Sequence, residues 1–182
     1  RDGLVTGVQT CALPIYMRLL PWNGIYFAIS KNANVSGRLS FCRTPYGPFE
    51  AIADLIPSMR HAAWLVDADQ LYLLFTVVGD NPESLMIAPV TLNKNRPSCW
   101  TLGESLVLAE PASGWEGLNY PQEPSRFGAQ NDVNQLRDPY VFQDNGSTYL
   151  YYAYGGENGL AGAHLDMAAI RSAFGCGVHG SH

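Results

Sequence analysis

The chain has 182 residues, of which 47% are hydrophobic and 15% charged, and its formal net charge at pH 7 is −5. This length supports one domain of ordinary size, and the negative charge argues against nucleic acid or an anionic membrane as a partner. No run of about 18 apolar residues occurs, so the sequence predicts no membrane-spanning helix. Frequent Tyr, Gly and Pro residues favour short strands joined by turns.

The first segment, RDGLVTGVQTCALPI, lacks the basic and apolar regions of a signal peptide. Its run VTGVQTCALPI is what a common short-read sequencing adapter encodes when translated. We therefore interpret residues 1–15 as adapter-derived. We expect the natural sequence to begin at about Tyr16, at a point in the middle of the full protein, so that the chain is a fragment.

Three later segments resemble one another. The middle copy, RHAAWLVDADQLYLLFTVVGD, starts at Arg60, and the last, RDPYVFQDNGSTYLYYAYGGE, starts at Arg137. The two align without a gap, so that Arg60 pairs with Arg137 and Asp80 with Glu157. A partial copy beginning NGIYFAIS comes first and is expected to lack its first strand.

Each copy predicts consecutive antiparallel strands. In the middle copy we place them at 61–66, 70–78, 84–92 and roughly 99–109, and Asn145-Gly146 in the last copy is a strong hairpin signal. Radially repeated four-stranded units are the blades of a β-propeller. We therefore predict an all-β, N-terminally truncated partial propeller of about two and a half four-stranded blades over residues 16–165. An ordinary β-sandwich with two similar hairpins is the alternative.

The predicted domain boundaries follow from these copies. The blades cover about 23–56, 57–110 and 136–165, and the polar segment 111–135, rich in Gly and Pro, is expected to be a long functional loop. The tail, 166–182, has room for a short helix.

Blade geometry predicts where the polar groups meet. The starts of the inner strands, the second turns and the connection between blades share one face of a propeller. That face would gather Arg60-His61, Arg137-Asp138, Asp80 and Glu157 under a loop carrying Trp115, Glu116 and Glu123. Carboxylates that lie close together push their pKa values apart, which suits the acid and base of glycoside cleavage.

The motif RDPYVFQDNGSTYLYY and the turn ending in Tyr46-Gly47-Pro48-Phe49 resemble the five-bladed propellers of glycoside hydrolase family 43 and its invertase-like family 32 relatives. The pattern QLRDP…GGENGLA is most similar to uncharacterised bacterial propellers that resemble that group. The resemblance implies five blades and a carbohydrate substrate. It also implies that Asp138 stabilises the transition state or tunes the acid, that Arg137 binds sugar hydroxyls, and that the nucleophile or base lies upstream of this chain.

The other roles are expectations with ordinary structural alternatives. Glu116 is the first candidate for the general acid and Glu123 the second, whereas His61 is expected to bind substrate. Each could instead serve the fold: Glu116 as a solvated loop charge, His61 as a buried histidine, and Arg137-Asp138 as a pair closing the hub.

The parent protein is therefore expected to hydrolyse glycosidic bonds, with a non-catalytic carbohydrate-binding propeller as the alternative and a protein-interaction platform as a third option. No cofactor or metal is indicated. Outside residues 1–15 three cysteines remain, and this odd count favours free thiols and a cytoplasmic location. The fragment itself is expected to be inactive and poorly soluble, because an open ring exposes blade edges.

Overall fold

The computed structural model describes residues 15–93, 95–125, 128 and 130–175. Within them, strands follow one another almost without interruption until a short helix near the C-terminus. The strands are β1 Ile15–Trp22, β2 Ile25–Asn32, β3 Ser36–Cys42, β4 Glu50–Pro57, β5 Met59–Asp67, β6 Gln70–Val77, β7 Leu85–Leu92, β8 Trp100–Leu102, β9 Leu106–Ala109, β10 Asn131–Asp144, β11 Ser147–Gly156 and β12 Gly159–His164. The helix, α1, spans Met167–Ala173.

The strands form three antiparallel sheets in chain order, each a blade. Blade 1 has the order β1-β2-β3-β4, blade 2 the order β5-β6-β7-β8 with β9 also paired to β7, and blade 3 the order β10-β11-β12. Contacts between β5 and both β1 and β10 place the first strands of the three blades side by side. The chain is therefore a partial β-propeller, as predicted, and these first strands line its hub.

The hairpins explain why the blades form locally. The turn from β1 to β2 is Asn23-Gly24 and that from β10 to β11 is Asn145-Gly146, and all four residues have positive φ. Asn and Gly tolerate this conformation, which matches the right-handed twist of the flanking strands. The predicted hairpin at Asn145-Gly146 is confirmed.

Two hydrophobic clusters hold the blades together. One lies between blades 1 and 2 and includes Phe27, Leu39 and Leu73, and the other lies between blades 2 and 3 and includes Leu74 and Leu136. Strand β6 supplies both clusters from its alternating faces, because blade 2 has a neighbour on each side. This explains why QLYLLFTV is apolar almost throughout rather than alternating.

Each inner strand is irregular near its start. The pairing register shifts between Ile15 and Arg18 in β1, between Met59 and Ala62 in β5, and between Arg137 and Tyr140 in β10. Such β-bulges bend a strand and turn a side chain away from the regular alternation. The repetition of this feature at one height in three blades sets up the polar hub described below.

Two expectations about the architecture were wrong. The first copy does not lack its first strand, because β1 pairs with β2 and gives blade 1 four strands. The predicted loop 111–135 ends earlier, because β10 begins at Asn131. The polar run Asn131–Gln135 can form a strand because the buried side chains of Asn134 and Gln135 donate to the carbonyls of Leu118 and Glu123 on the preceding connection.

The remaining expectations concern the ends of the chain. The short helix expected in the tail is present as α1, whose N-cap Asp166 accepts hydrogen bonds from the backbone N–H groups of Ala168 and Ala169. The adapter interpretation falls on residues 1–14, which lie outside the described residues, and on Ile15, where β1 begins. No helix among the described residues is long and apolar enough to cross a membrane.

Candidate functional site at the hub

Three side chains form a row across the hub, one from each inner strand. Tyr16, His61 and Asp138 each lie six residues before the last paired residue of their strand, so they are equivalent positions in the three blades. The Tyr16 ring meets the His61 ring edge-on at 4.7 Å between centroids. His61 Nε2 lies 3.1 Å from Asp138 Oδ1. We call this set the hub row.

His61 is buried and neutral. Burial, followed by the charges of Arg60, Lys31, Arg137 and Arg18, lowers the pKa of His61 to about 3. Nε2 of the neutral ring lies within hydrogen-bonding distance of the Asp138 carboxylate, and no described atom is hydrogen-bonded to the buried Nδ1. His61 therefore orients Asp138 and contributes no positive charge.

Asp138 combines an unusual backbone with a perturbed carboxylate. Its φ is +49°, in the left-handed region, and its side chain is 35% exposed. Burial and then the neighbouring Glu157 charge raise the pKa of Asp138, against the lowering effect of nearby arginines. A partly exposed carboxyl group whose pKa is raised is typical of a functional site.

A buried ionic cluster lies beneath the hub row. Arg60 Nε donates to Glu83 at 2.8 Å and 3.1 Å, and Arg137 Nε lies 3.5 Å from the same carboxylate. Arg137 also donates through Nη1 to Glu157 Oε1 at 3.2 Å. Because Glu83 and Arg137 are fully buried, removal of either charge would leave its partners uncompensated, a change that costs about 3–5 kcal/mol in comparable buried pairs.

The long connection from blade 2 to blade 3 covers this cluster. The Arg60 guanidinium donates to the carbonyl and the hydroxyl of Ser125, and Arg137 donates to the same hydroxyl. The Gln135 amide donates to the Glu123 carbonyl and accepts from Arg137. The connection was expected to cover the hub face, and these contacts place it over the buried arginines.

Glu116 lies in a different setting. Its Oε2 accepts from Ala112 N–H at 3.0 Å, Ser113 N–H at 3.1 Å and the Ser113 hydroxyl at 2.9 Å, and its Oε1 accepts from the Tyr152 hydroxyl at 2.6 Å. Burial acts to raise the pKa of Glu116, but these hydrogen bonds outweigh it and lower the pKa. The carboxylate caps the short 3-10 helix Gly114–Glu116 and is held ionised, the opposite of what a general acid requires.

The structure brings together five of the nine predicted site residues: Arg60, His61, Arg137, Asp138 and Glu157. Arg137, which was expected to bind sugar hydroxyls, is buried together with Arg60, and both arginines donate to protein acceptors. Asp80 and Glu157 occupy second turns as expected, and burial raises the pKa of Asp80. None of the described side-chain contacts links the hub row to Asp80, Trp115, Glu116 or Glu123.

Sequence reasoning missed several hub residues. Glu83, the fully buried partner of both arginines, lies just after a turn and carries no motif. Tyr16 and Arg18 were missed because blade 1 was expected to lack its first strand, and Lys31 on β2 carries no motif. Aligning the hairpin turn Asn23-Gly24 with Asn145-Gly146 would have placed Tyr16 at the position of Asp138.

The described residues contain no group of three or more His, Cys, Asp and Glu side chains arranged to hold a metal ion. Of the cysteines, Cys42 and Cys99 are free in the described part of the chain, and the other two lie outside it. The hub presents carboxylates, a neutral histidine and an exposed tyrosine.

No family model matches the chain. One relative is an uncharacterised protein of Acanthamoeba polyphaga mimivirus, 38% identical over 112 residues that cover 59% of this chain and 30% of that protein. The chain thus corresponds to less than a third of that relative's length.

Similar solved structures are glycosidase propellers. An alpha-L-arabinofuranosidase from Clostridium thermocellum matches with a TM-score of 0.58 at 17% identity, over 85% of this chain and 48% of that one. A thermostable family-43 glycoside hydrolase matches with a TM-score of 0.58 at 15% identity, over 83% and 50%. A bifunctional GH43-CE protein of Bacteroides eggerthii matches with a TM-score of 0.54 at 18% identity, over 82% and 17%.

These identities are low, and the chain spans half or less of each protein. The likeness shows the fold alone. The chain is a partial β-propeller with the fold of the family 43 glycoside hydrolases.

Proposed function

We propose that the chain is part of a five-bladed glycoside hydrolase that cleaves glycosidic bonds with paired carboxylates at its hub. The observation that carries the proposal is Asp138, held by His61 at the hub in a strained backbone conformation, partly exposed, with a raised pKa. The fold shared with family 43 enzymes gives this carboxylate a chemical context.

The proposed chemistry divides the work among carboxyl groups. In glycoside hydrolysis one carboxylic acid protonates the leaving oxygen, while a second carboxylate activates water or attacks the anomeric carbon. We assign Asp138 to the stabilisation of the positive charge that develops on the sugar ring, and Glu157 to binding a hydroxyl beside it. The nucleophile or base would come from outside this chain, as the resemblance implies.

The identity of the general acid remains a prediction. Glu116 is disfavoured because its two carboxylate oxygens are saturated by four donors. Glu123 is exposed, and among the described residues its backbone carbonyl joins the hub cluster through Gln135. We therefore keep Glu123 as the candidate that this chain offers.

Binding of a sugar to the purified chain tests the proposal. The probe is an aryl α-L-arabinofuranoside, chosen because one structural neighbour is an arabinofuranosidase. Ligand-observed NMR should detect weak binding that Asp138→Asn reduces about tenfold, corresponding to loss of one charge-assisted hydrogen bond. Glu104→Gln, an exposed charge on the loop between β8 and β9, is the matched control and should leave binding unchanged.

The chain alone should not release the aryl group, because the proposed nucleophile or base lies outside it. Hydrolysis by the purified chain, or binding that is indifferent to Asp138→Asn, would contradict this assignment.

A carbohydrate-binding propeller without catalysis is the second candidate. It is favoured by the capping role of Glu116 and by the burial of both hub arginines, which leave Asp138 and Glu157 as the partly exposed carboxylates with described hub contacts. The full-length parent protein separates the two. Turnover that Asp138→Asn abolishes supports the enzyme, and binding without turnover supports the binding module.

A further inference from the structure

Positive charge collects at one end of the hub row. Lys31 lies on β2 with its Nζ 5.9 Å from the centroid of the Tyr16 ring, and Arg18 lies on β1, two residues after Tyr16. Both charges act on His61, and the Arg18 charge also acts on Asp138, so both cations belong to the hub.

Among the described residues neither cation forms an ion pair with a carboxylate, although the Glu83 charge acts on Lys31. Arg60 and Arg137, by contrast, share Glu83, and Arg137 also pairs with Glu157. The one side-chain hydrogen bond described for Arg18 is a 3.5 Å contact with the Met17 carbonyl, and its Nε is buried without a partner. A buried polar group left without a partner is costly, and a ligand acceptor that approached the guanidinium would lower this cost.

The backbone and the aromatic ring fix where these cations sit. The Arg18 carbonyl accepts a hydrogen bond from Trp64 Nε1 at 3.1 Å, which ties β1 to β5 at this point. Tyr16 is 47% exposed and lies between Lys31 and His61, offering a ring face on which a sugar could lie. Lys31 is half-buried, so its charge is only partly screened by water.

The two ends of the hub therefore carry opposite charges. Lys31 and Arg18, which have no ion-pair partner among the described residues, lie at the blade 1 end, and the carboxylates of Asp138 and Glu157 lie at the blade 3 end. A neutral sugar would leave the two cations uncompensated. A sugar with its own carboxylate would pair with them while keeping its anomeric centre near Asp138.

We propose that the glycan recognised at this hub is acidic, and that Lys31 and Arg18 bind the carboxylate of a uronic acid residue. This inference rests on the proposed function, since it requires that the hub take a carbohydrate. It assigns Lys31 and Arg18 as specificity-determining residues, with Tyr16 as the platform beneath the sugar ring.

The test compares two sugars that differ at one group: methyl α-D-galacturonoside, with a carboxylate at C6, and methyl α-D-galactoside, with a hydroxymethyl there. Affinity for the full chain is measured by ligand-observed NMR at low salt. We expect the acid to bind about tenfold more tightly than the neutral sugar, and the preference to shrink as salt rises. Lys31→Gln and Arg18→Gln should each reduce the preference several-fold.

Arg96→Gln removes an exposed charge far from the hub in sequence and should leave the preference intact. Circular dichroism and the unfolding midpoint show whether each variant is folded. At least one of Lys31→Gln and Arg18→Gln is expected to keep the fold of the parent chain. If both sugars bind equally and depend on Asp138, the acidic-glycan inference fails while the proposed function stands. If neither sugar binds and the arabinofuranoside also fails to bind, both fail.

Discussion

At the scale of single residues, the hub depends on a conformation that few side chains adopt. Asp138 has φ +49°, and its equivalent in blade 1, Tyr16, has φ +56°. For residues with a Cβ such a conformation costs on the order of 1 kcal/mol or more, and Asp tolerates it better than most. In β10 and β1 this strained conformation belongs to the β-bulge, which turns the side chain out of the sheet and toward the propeller axis.

The buried His61 predicts a pH dependence of stability. Its pKa is about 3 in the folded chain against about 6.5 unfolded, so between these values the unfolded chain binds more protons. The free energy of unfolding should therefore fall as pH drops from about 6.5 toward 3. The raised pKa of Asp138 acts in the opposite sense. Its contribution to the free energy of unfolding is lost as the pH rises above the pKa that Asp138 has in the unfolded chain.

Comparison with His61→Gln isolates the histidine. Urea unfolding at pH 7, 5.5 and 4 should show a smaller loss of stability in this variant than in the parent chain. His164→Gln, at an exposed histidine, should follow the parent. Equal pH dependence in the parent and in His61→Gln would mean that the pKa of His61 is the same in the folded and unfolded chains.

At the scale of elements, the sequence predicted the turns and strands that depend on neighbouring residues alone. The Asn145-Gly146 hairpin and the gapless alignment of the middle and last copies were read correctly, because turn residues and apolar strands carry a signal in sequence. The β-bulges carried no such signal, because one extra residue in a strand hardly changes the amino-acid composition of that strand. The polar start of β10 at Asn131 was read as loop because its partners, Glu123 and Pro121, lie on a separate segment.

The capping of the 3-10 helix by Glu116 gives a second prediction. Glu116→Gln keeps the size of the side chain but turns amide hydrogens toward donors that previously met a carboxylate. We expect a loss of about 1–3 kcal/mol in the free energy of unfolding, because buried donors are left unsatisfied. Urea unfolding measures this loss, and limited proteolysis should cut the connection between blades 2 and 3 faster.

Glu104→Gln is again the matched control, since Glu104 is exposed and should change stability little. A stable Glu116→Gln variant would reopen the case for Glu116 as the general acid, because a residue that serves only catalysis can be replaced without loss of stability.

At the scale of the whole molecule, the sequence predicted the partial propeller but not the first strand of blade 1. The repeat specified the blade, and contacts between inner strands are as a propeller requires. Blade 1 was undercounted because β1, the run IYMRLLPW, begins where the adapter interpretation ends and has no matching motif. Roles at the hub were the least predictable, since burial decides whether an arginine binds a ligand or another residue.

An open ring leaves one face of blade 3 uncovered. Tyr140, Phe142, Tyr151 and Leu160 are exposed, and Tyr140 pairs with Tyr151 across neighbouring strands. In blade 2 the corresponding surfaces are buried by neighbours on both sides. An apolar face of this kind is a site of self-association, so the purified chain should form oligomers or precipitate as its concentration rises.

Charge on this face should suppress the association. Tyr151→Lys is expected to raise, several-fold, the concentration at which light scattering detects oligomers, because burying a lysine against a second copy carries a desolvation cost. Tyr46→Lys makes the same change at a loop tyrosine that is 78% exposed and outside this face, and it should behave like the parent chain. If both variants improved solubility equally, net charge would be the cause. If the parent chain stayed monomeric at high concentration, the exposed blade face would not drive association at all.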